Sequence, residues 1–200
     1  MKKIFLAVVS LLTVMCANAS NVEKIQFANA GDFALGVMIG IPPYSGANMP
    51  TISVDGMIGI KDGMCNTKTF GQNGAIDLGA YIGFCQYGES YDYLGYEKKH
   101  SYWELPIAFR AGFNWEFVKN LDVYSGFQGG VAIEHWMDKT SYPGNTVKES
   151  GNHVDGVFGM YLGAKWMFTD FFGVKLEYSG DWIGDGHDLP PFAGGVQFNF

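Results

Sequence analysis

The chain has 200 residues and a formal net charge of −7, from 13 basic and 20 acidic residues. That balance argues against nucleic acid as a partner, whose phosphates require a basic footprint. Past the N-terminal leader no apolar run is long enough for a spanning helix, which excludes a helical membrane protein, yet 28 glycines, 16% aromatic and only 16% charged residues depart from an ordinary soluble composition.

The N-terminus reads as an export signal. Lys2 and Lys3 form a positive region, Ile4 to Cys16 an apolar one, and Ala17-Asn18-Ala19 a small-x-small cleavage site, with the cut expected after Ala19. A lipoprotein signal ending at Cys16 is the alternative. Thr13-Val14-Met15 fits it poorly, because the residue before a lipidated cysteine is normally small. Cleavage removes Lys2 and Lys3, so the mature chain is two units more negative than the precursor. The expected layout is a signal peptide over 1–19, a short periplasmic segment over 20–31 and one domain over 32–200.

From there the side-chain period is two, and eight strands follow. The first places Phe33, Leu35, Val37, Ile39 and Ile41 on one face, with Ala34, Gly36, Met38 and Gly40 on the other. The second alternates Ile52, Val54, Ile58 and Ile60 with Ser53, Asp55, Met57 and Gly59. In the third, Ile76, Leu78, Ala80, Ile82 and Phe84 oppose Asp77, Gly79, Tyr81 and Gly83. The fourth runs from Trp103 through Leu105, Ile107, Phe109, Ala111, Phe113 and Trp115 to Phe117, against Glu104, Pro106, Ala108, Arg110, Gly112, Asn114 and Glu116. The fifth sets Leu121, Val123, Phe127, Val131 and Ile133 against Asp122, Tyr124, Gln128 and Glu134. The sixth sets Val154, Phe158, Met160, Leu162, Trp166 and Phe168 against Asp155, Gly159, Tyr161, Gly163 and Lys165. Phe172, Val174, Leu176 and Tyr178 oppose Gly173, Lys175 and Glu177 in the seventh; Phe192, Val196, Phe198 and Phe200 oppose Ala193, Gly195, Gln197 and Asn199 in the last.

No charge enters the apolar register of any strand. A charge facing lipid at mid-depth costs roughly 2–4 kcal/mol, so this partition is the one a transmembrane barrel requires. The opposite orientation, a soluble barrel with its apolar register inside, would have to pack about fifteen Phe and Trp rings into a space that eight strands barely leave open. Gly36, Gly40, Gly59, Gly79, Gly83, Gly112, Gly126, Gly130, Gly159, Gly163, Gly173 and Gly195 fall in the polar register, where a narrow lumen needs room for long charged neighbours. The fold expected is therefore all-β: a transmembrane antiparallel up-and-down barrel of about eight strands, placed in an outer membrane.

Connection lengths predict long extracellular loops over Pro42 to Pro50, Gln86 to Ser101, His135 to His153 and Gly180 to Pro191. Short periplasmic turns are expected at Val118 to Asn120 and Thr169-Asp170. The connection from Asp62 to Gly74 is long where a short turn is expected. Trp115, Phe117, Trp166 and Phe168 sort to the periplasmic rim and Trp103 to the outer one, as interfacial girdles would. A strand crossing should hold Cys65 and Cys85 on the order of 25 Å apart, beyond the Cα limit of about 7 Å for a disulfide.

The chain ends Phe192, Val196, Phe198, Phe200 in alternation, which resembles the C-terminal signal that outer-membrane barrels present to their assembly machinery. Phe168-Thr169-Asp170-Phe171-Phe172-Gly173-Val174-Lys175-Leu176-Glu177-Tyr178 is similar to the penultimate hairpin of small barrels related to OmpA and OmpX, and Trp103-Glu104-Leu105-Pro106-Ile107 resembles their middle strand. The resemblance covers roughly Phe33 to Phe200 and implies architecture rather than activity; no periplasmic peptidoglycan-binding role is implied. Its expected partners are outer-membrane lipid and lipopolysaccharide, the barrel assembly machinery and a surface ligand of unknown kind.

Glu104, Arg110, Glu134, Lys165, Lys175 and Glu177 are expected inside the lumen as a mixed-sign network that either plugs it or lines an ion path. His100, His135, His153 and His187, with Asp181, Asp185 and Asp188, gather at loop ends but lack short metal-ligand spacing. A lipid A hydrolase would need Ser, His and a carboxylate together; His135, Glu134 and Ser141 are the nearest set, without a family motif. Tyr91, Tyr93 and Tyr96, in the predicted loop from Gln86 to Ser101, suit adhesion or contact with lipopolysaccharide sugars. The expected function is a non-enzymatic surface or structural role without cofactor or metal, with a lipid A-modifying enzyme or a narrow pore as the alternatives.

Overall fold

The structure, a computed structural model, describes residues 30–42, 49–64, 73–93, 96–118, 120–183 and 189–200. The leader with its cleavage site at Ala19, Cys65, Asp185, His187 and Asp188 lie outside the described residues. Eight antiparallel strands follow in order: β1 (Phe33–Gly40), β2 (Thr51–Met64), β3 (Asn73–Tyr93), β4 (Tyr96–Val118), β5 (Leu121–Tyr142), β6 (Asn145–Met167), β7 (Phe172–Ile183) and β8 (Phe192–Asn199). Each pairs with its neighbour in sequence, and β1 closes on β8, with Val37 opposite Val196. The seam continues past β8, where Phe200 and Phe33 exchange two backbone hydrogen bonds of 2.8 and 3.2 Å.

The turns follow their residues. Asn120, between β4 and β5, takes a left-handed φ of 71°, a conformation asparagine tolerates better than most. Between β5 and β6, Pro143 precedes Gly144 at φ 89°, the residue order of a type II turn. Thr169 Oγ1 accepts hydrogen bonds from the amides of Phe171 (3.3 Å) and Phe172 (2.9 Å), fixing the tight connection into β7.

The pleat sorts side chains as charge partition demands. Outward-facing apolar groups stay open to the surroundings, among them Phe109 at 60% exposure, Leu176 at 68%, Ile39, Phe127 and Val154. Asp55, Glu104, Arg110, Asp122, Lys165, Lys175 and Glu177 are buried within. The cross-strand register explains the inward glycines. Asp55 lies opposite Gly36, Arg110 opposite Gly79, Asp77 opposite Gly112, Gln128 opposite Gly159, Glu177 opposite Gly163 and Lys175 opposite Gly195. The Asp55 and Asp77 carboxylates occupy the space a Cβ at Gly36 or Gly112 would take, and the Tyr161 and Tyr124 rings do the same at Gly126 and Gly163, so an eight-stranded ring can hold them. Gly36 shows the constraint most directly, since a Cβ there would run into the Asp55 carboxylate and the Lys175 ammonium.

Two predicted loops are strands instead. The segment Gln86 to Ser101 lies almost wholly in β3 and β4, which pair as far as Tyr93 opposite Tyr96, and His135 to His153 is an unbroken β5–β6 hairpin ending at Tyr142 opposite Asn145. Because β4 and β5 pair out to Glu97 opposite Ser141, the ends of β3 to β6 form one four-stranded sheet standing beyond the barrel rim. The loop predicted over Gly180 to Pro191 is also shorter, for β7 runs to Ile183 and Leu189 turns inward to join Met38, Tyr81, Ala108, Ala132, Val157 and Ala193 in a buried apolar layer. The long connection after Asp62 is narrowed from both ends. β2 continues to Met64 through two register irregularities, and β3 starts at Asn73.

Candidate functional site

Among the described residues two places gather chemistry: the lumen and the projecting sheet. In the lumen, Arg110 donates to Glu177 through both terminal nitrogens, at 2.7 and 3.1 Å, and through Nε to Gln128 at 2.9 Å. Its guanidinium lies between the rings of Tyr81 and Tyr161, 4.3 and 4.5 Å from their centroids, where cation–π attraction replaces part of the lost hydration. Lys175 binds both oxygens of Asp55 at 2.7 and 3.0 Å and approaches Glu177 at 3.8 Å. One level nearer the short turns, Lys165 meets Asp122 at 3.3 Å and Asn114 at 3.1 Å, and Asn114 donates to Asp77.

Of the six residues expected in this network, Arg110, Lys165, Lys175 and Glu177 are brought together, and Asp55, Asp77, Asn114, Asp122 and Gln128 join them. Glu104 and Glu134 do not. They face each other across β4 and β5 nearer the projecting end, where the Cys85 thiol donates to Glu104 at 3.7 Å and Glu134 is only half-buried. Cys85 is a free, buried thiol. The space left beside Asp55, Asp77, Tyr161 and Lys175 is about 20 Å³, room for roughly one water molecule. With the apolar layer around Leu189 above it, the lumen at this level is filled by side chains, Arg110, Lys165 and Lys175 each being paired with a carboxylate. Planar-bilayer recordings of the purified barrel should accordingly show no steady single-channel conductance at physiological salt; regular steps would contradict the plug.

In the projecting sheet, the register that continues the lumen face carries rings. Tyr87 and Tyr102 lie 5.6 Å apart, Trp136 stands opposite Tyr102, and Tyr96 and Tyr142 meet edge-on at 5.2 Å. Trp136 rests over Gly151, where a Cβ would strike the indole. Tyr91, Tyr93 and Tyr96 therefore sit on strands rather than in a loop; Tyr91 is well exposed, and its hydroxyl donates to Glu89 at 2.5 Å. Between the rings, His100 and Lys98 both engage Asp138, whose carboxyl the hydrogen bond from His100 holds below the usual carboxylate range.

The remaining candidates separate. His100, His135 and His153 lie on β4, β5 and β6 rather than at loop ends. Among the described residues no group of three or more His, Cys, Asp or Glu is placed to hold a metal. His135 faces outward beside Trp103, ring centroids 5.5 Å apart, with Nδ1 2.7 Å from the Asn152 side-chain oxygen. Glu134 points to the opposite face, and Ser141 is six positions along an extended strand, roughly 20 Å away. The hydrolase set of His135, Glu134 and Ser141 is not assembled. At the short-turn end, Trp166 and Phe168 are exposed, while the Phe117 side chain lies outside the described residues.

No family model and no curated protein matches the chain. Among solved structures it is similar to the attachment invasion locus protein Ail of Yersinia pestis, in complex with the heparin analogue sucrose octasulfate, at 10% identity and a TM-score of 0.42, covering 86% of this chain and 99% of that one. It is also similar to Neisserial surface protein A, at 10% identity and a TM-score of 0.33 over 84% and 92% of the two chains. A third is the N-terminal β-barrel domain of Pseudomonas aeruginosa OprF, at 14% identity and a TM-score of 0.39 over 86% and 98%.

Proposed function

We propose that this chain is an outer-membrane barrel that displays a recognition surface, without catalysing a reaction. The membrane placement is supported by the closed ring itself, which leaves no unpaired edge at barrel level, by an outward band of Ile, Leu, Val and Phe free of charge, and by the paired charges within. The single observation that carries the recognition role is the projecting sheet. Four strands continue well past the last outward apolar residues and present Tyr91, Tyr96, Tyr102, Trp136 and Tyr142 from a rigid, hydrogen-bonded backbone, with Tyr87 buried beneath them. Rings fixed on strands give large contact area at little entropic cost, the economy seen in recognition surfaces generally. Phe198 and Phe200, at the closing seam, suit the role of an assembly signal read by barrel-inserting machinery, and lipopolysaccharide would surround the outer face.

The test is a trimmed protein in which 88–101 and 137–150 are each replaced by a two-residue turn, which leaves Tyr87 opposite Tyr102 and Trp136 opposite Gly151. Barrel-level pairing is untouched, so the variant should still insert and migrate as a folded, heat-modifiable band. Cells carrying it should lose most of the surface adhesion, or show the envelope sensitivity, that distinguishes the wild type from a deletion strain. Full retention of wild-type behaviour in both assays would remove the recognition role.

A further inference from the structure

The opposite face of the projecting sheet carries a feature that the ring array does not use. Lys99 lies directly opposite Lys139 in the β4–β5 ladder, and Lys139 directly opposite Lys148 in the β5–β6 ladder. Three ammonium groups thus stand in one row across adjacent strands, on the register that continues the lipid-facing surface of Leu105, Ile107, Ile133 and Val154. Directly opposed like charges destabilise a sheet, and neighbouring strands are only about 4.8 Å apart, well inside the Debye length at physiological salt. Lys99 finds Glu97 at 3.0 Å, two positions further out on its own strand, whereas Lys139 and Lys148 make no ion pair among the described residues. The vertical order is also polar. Below the row come Ser101, Met137 and Ser150, then Trp103, His135 and Asn152 at the rim; above it, away from the barrel, come Asp92 and Glu97.

From this arrangement we infer that the Lys99–Lys139–Lys148 row binds phosphate groups carried by lipids of the surrounding outer leaflet. The inference rests on the outer-membrane placement above and adds a ligand class to it. The row stands four residues beyond Trp103, about 13 Å along the strand and less in height once strand tilt is included. A headgroup layer some 5–7 Å deep brings lipid phosphates within reach of a lysine that extends its stem downward along the sheet. The carboxylates held on the far side of the row leave its membrane-facing side uniformly positive. A phosphate lying across two adjacent lysines cancels the repulsion that the row imposes on the empty sheet.

The experiment folds the wild type, K99Q/K139Q/K148Q and K98Q in zwitterionic detergent and titrates each with bisphosphorylated lipid A, its dephosphorylated form and inorganic pyrophosphate, reading bound ligand by native mass spectrometry. Each lysine near an anionic surface contributes roughly a fivefold factor, so the triple variant should bind bisphosphorylated lipid A about 100-fold more weakly. K98Q, whose side chain is on the ring-bearing face with Asp138, should match the wild type, and the wild type should discriminate against dephosphorylated lipid A. Without ligand, the triple variant should melt at the same temperature as the wild type or higher, because the repulsion has gone. Equal binding by the triple variant and the wild type, or equal wild-type affinity for the dephosphorylated lipid, would overturn the inference. So would pyrophosphate competing at the concentrations at which lipid A binds, which would mark a site for free anions. A wild type that folds only in buffer without detergent would instead defeat the membrane placement, and that failure is read before any ligand is added.

Discussion

Arg110→Met is expected to destabilise the folded barrel by about 3–5 kcal/mol, the cost of stripping the partner from buried charges. Arg110 is 1% exposed and holds Glu177 through two hydrogen bonds, Gln128 through a third, and Asp55 at 3.7 Å. Removing the guanidinium leaves Lys175 as the one cation within ion-pair distance of both Asp55 and Glu177 among the described residues. The double variant Arg110→Met/Glu177→Met behaves differently, because the Lys175–Asp55 pair then remains neutral by itself. It should recover at least half of the loss, as replacement of a buried ion pair by apolar groups of similar size commonly does. Urea unfolding in lipid vesicles, followed by tryptophan fluorescence, measures both. Additive losses in the double variant would show that packing, not charge pairing, sets the cost at this level of the lumen.

The other large effect lies on the outside of the same wall. Phe109 is 60% exposed, sits midway between Trp103 and Trp115 on β4, and faces Ala80 and Gly129 across its two ladders. Arginine there would meet hydrocarbon near mid-depth and should cost about 2–4 kcal/mol in vesicles, whereas Trp115→Arg at the rim should cost about 1 kcal/mol or less. The depth dependence is the informative part. A water-facing wall would accept arginine at either position with little change, so similar small losses at Phe109 and Trp115 would place this face in solvent.

Much of this was legible from residue order, for identifiable reasons. A wall with lipid on one side and packed charge on the other forces strict alternation, so Ile76 through Phe84 or Phe172 through Tyr178 could be assigned to faces directly. Beyond the membrane both faces of a strand are wet and that constraint lapses. Between Gln86 and Ser101, Glu89 and Ser90, or Lys98 and Lys99, put polar groups on both registers, which is why a hairpin looked like a loop. The clue available was the spacing of Tyr87, Tyr91 and Tyr93, and of Tyr96 and Tyr102, all of which keep to one register. The lumen network was readable as a set but not as pairs. Asp55, Asp77 and Asp122 were visibly inward, yet which charges share a level depends on the stagger of strands around the ring. That stagger places Lys175 against Asp55, 120 positions away in sequence, and leaves Glu104 and Glu134 a storey apart from the arginine.

The inequality of the strands bears on how such a ring comes into being. β3 to β6, each of 21 to 23 residues, are joined by tight hairpins, so their ladders grow from contacts between near neighbours in the chain and tie down little slack. β1 and β8 have 8 residues each, and their union must span nearly the whole described sequence before its first hydrogen bond can form. Entropy therefore loads its heaviest charge on one of the two shortest ladders. The wall is therefore expected to zip outward from its tall side and fasten last where it is lowest, and the line from Phe33–Phe200 up to Gly40–Ala193 is also where thermal agitation should first part it.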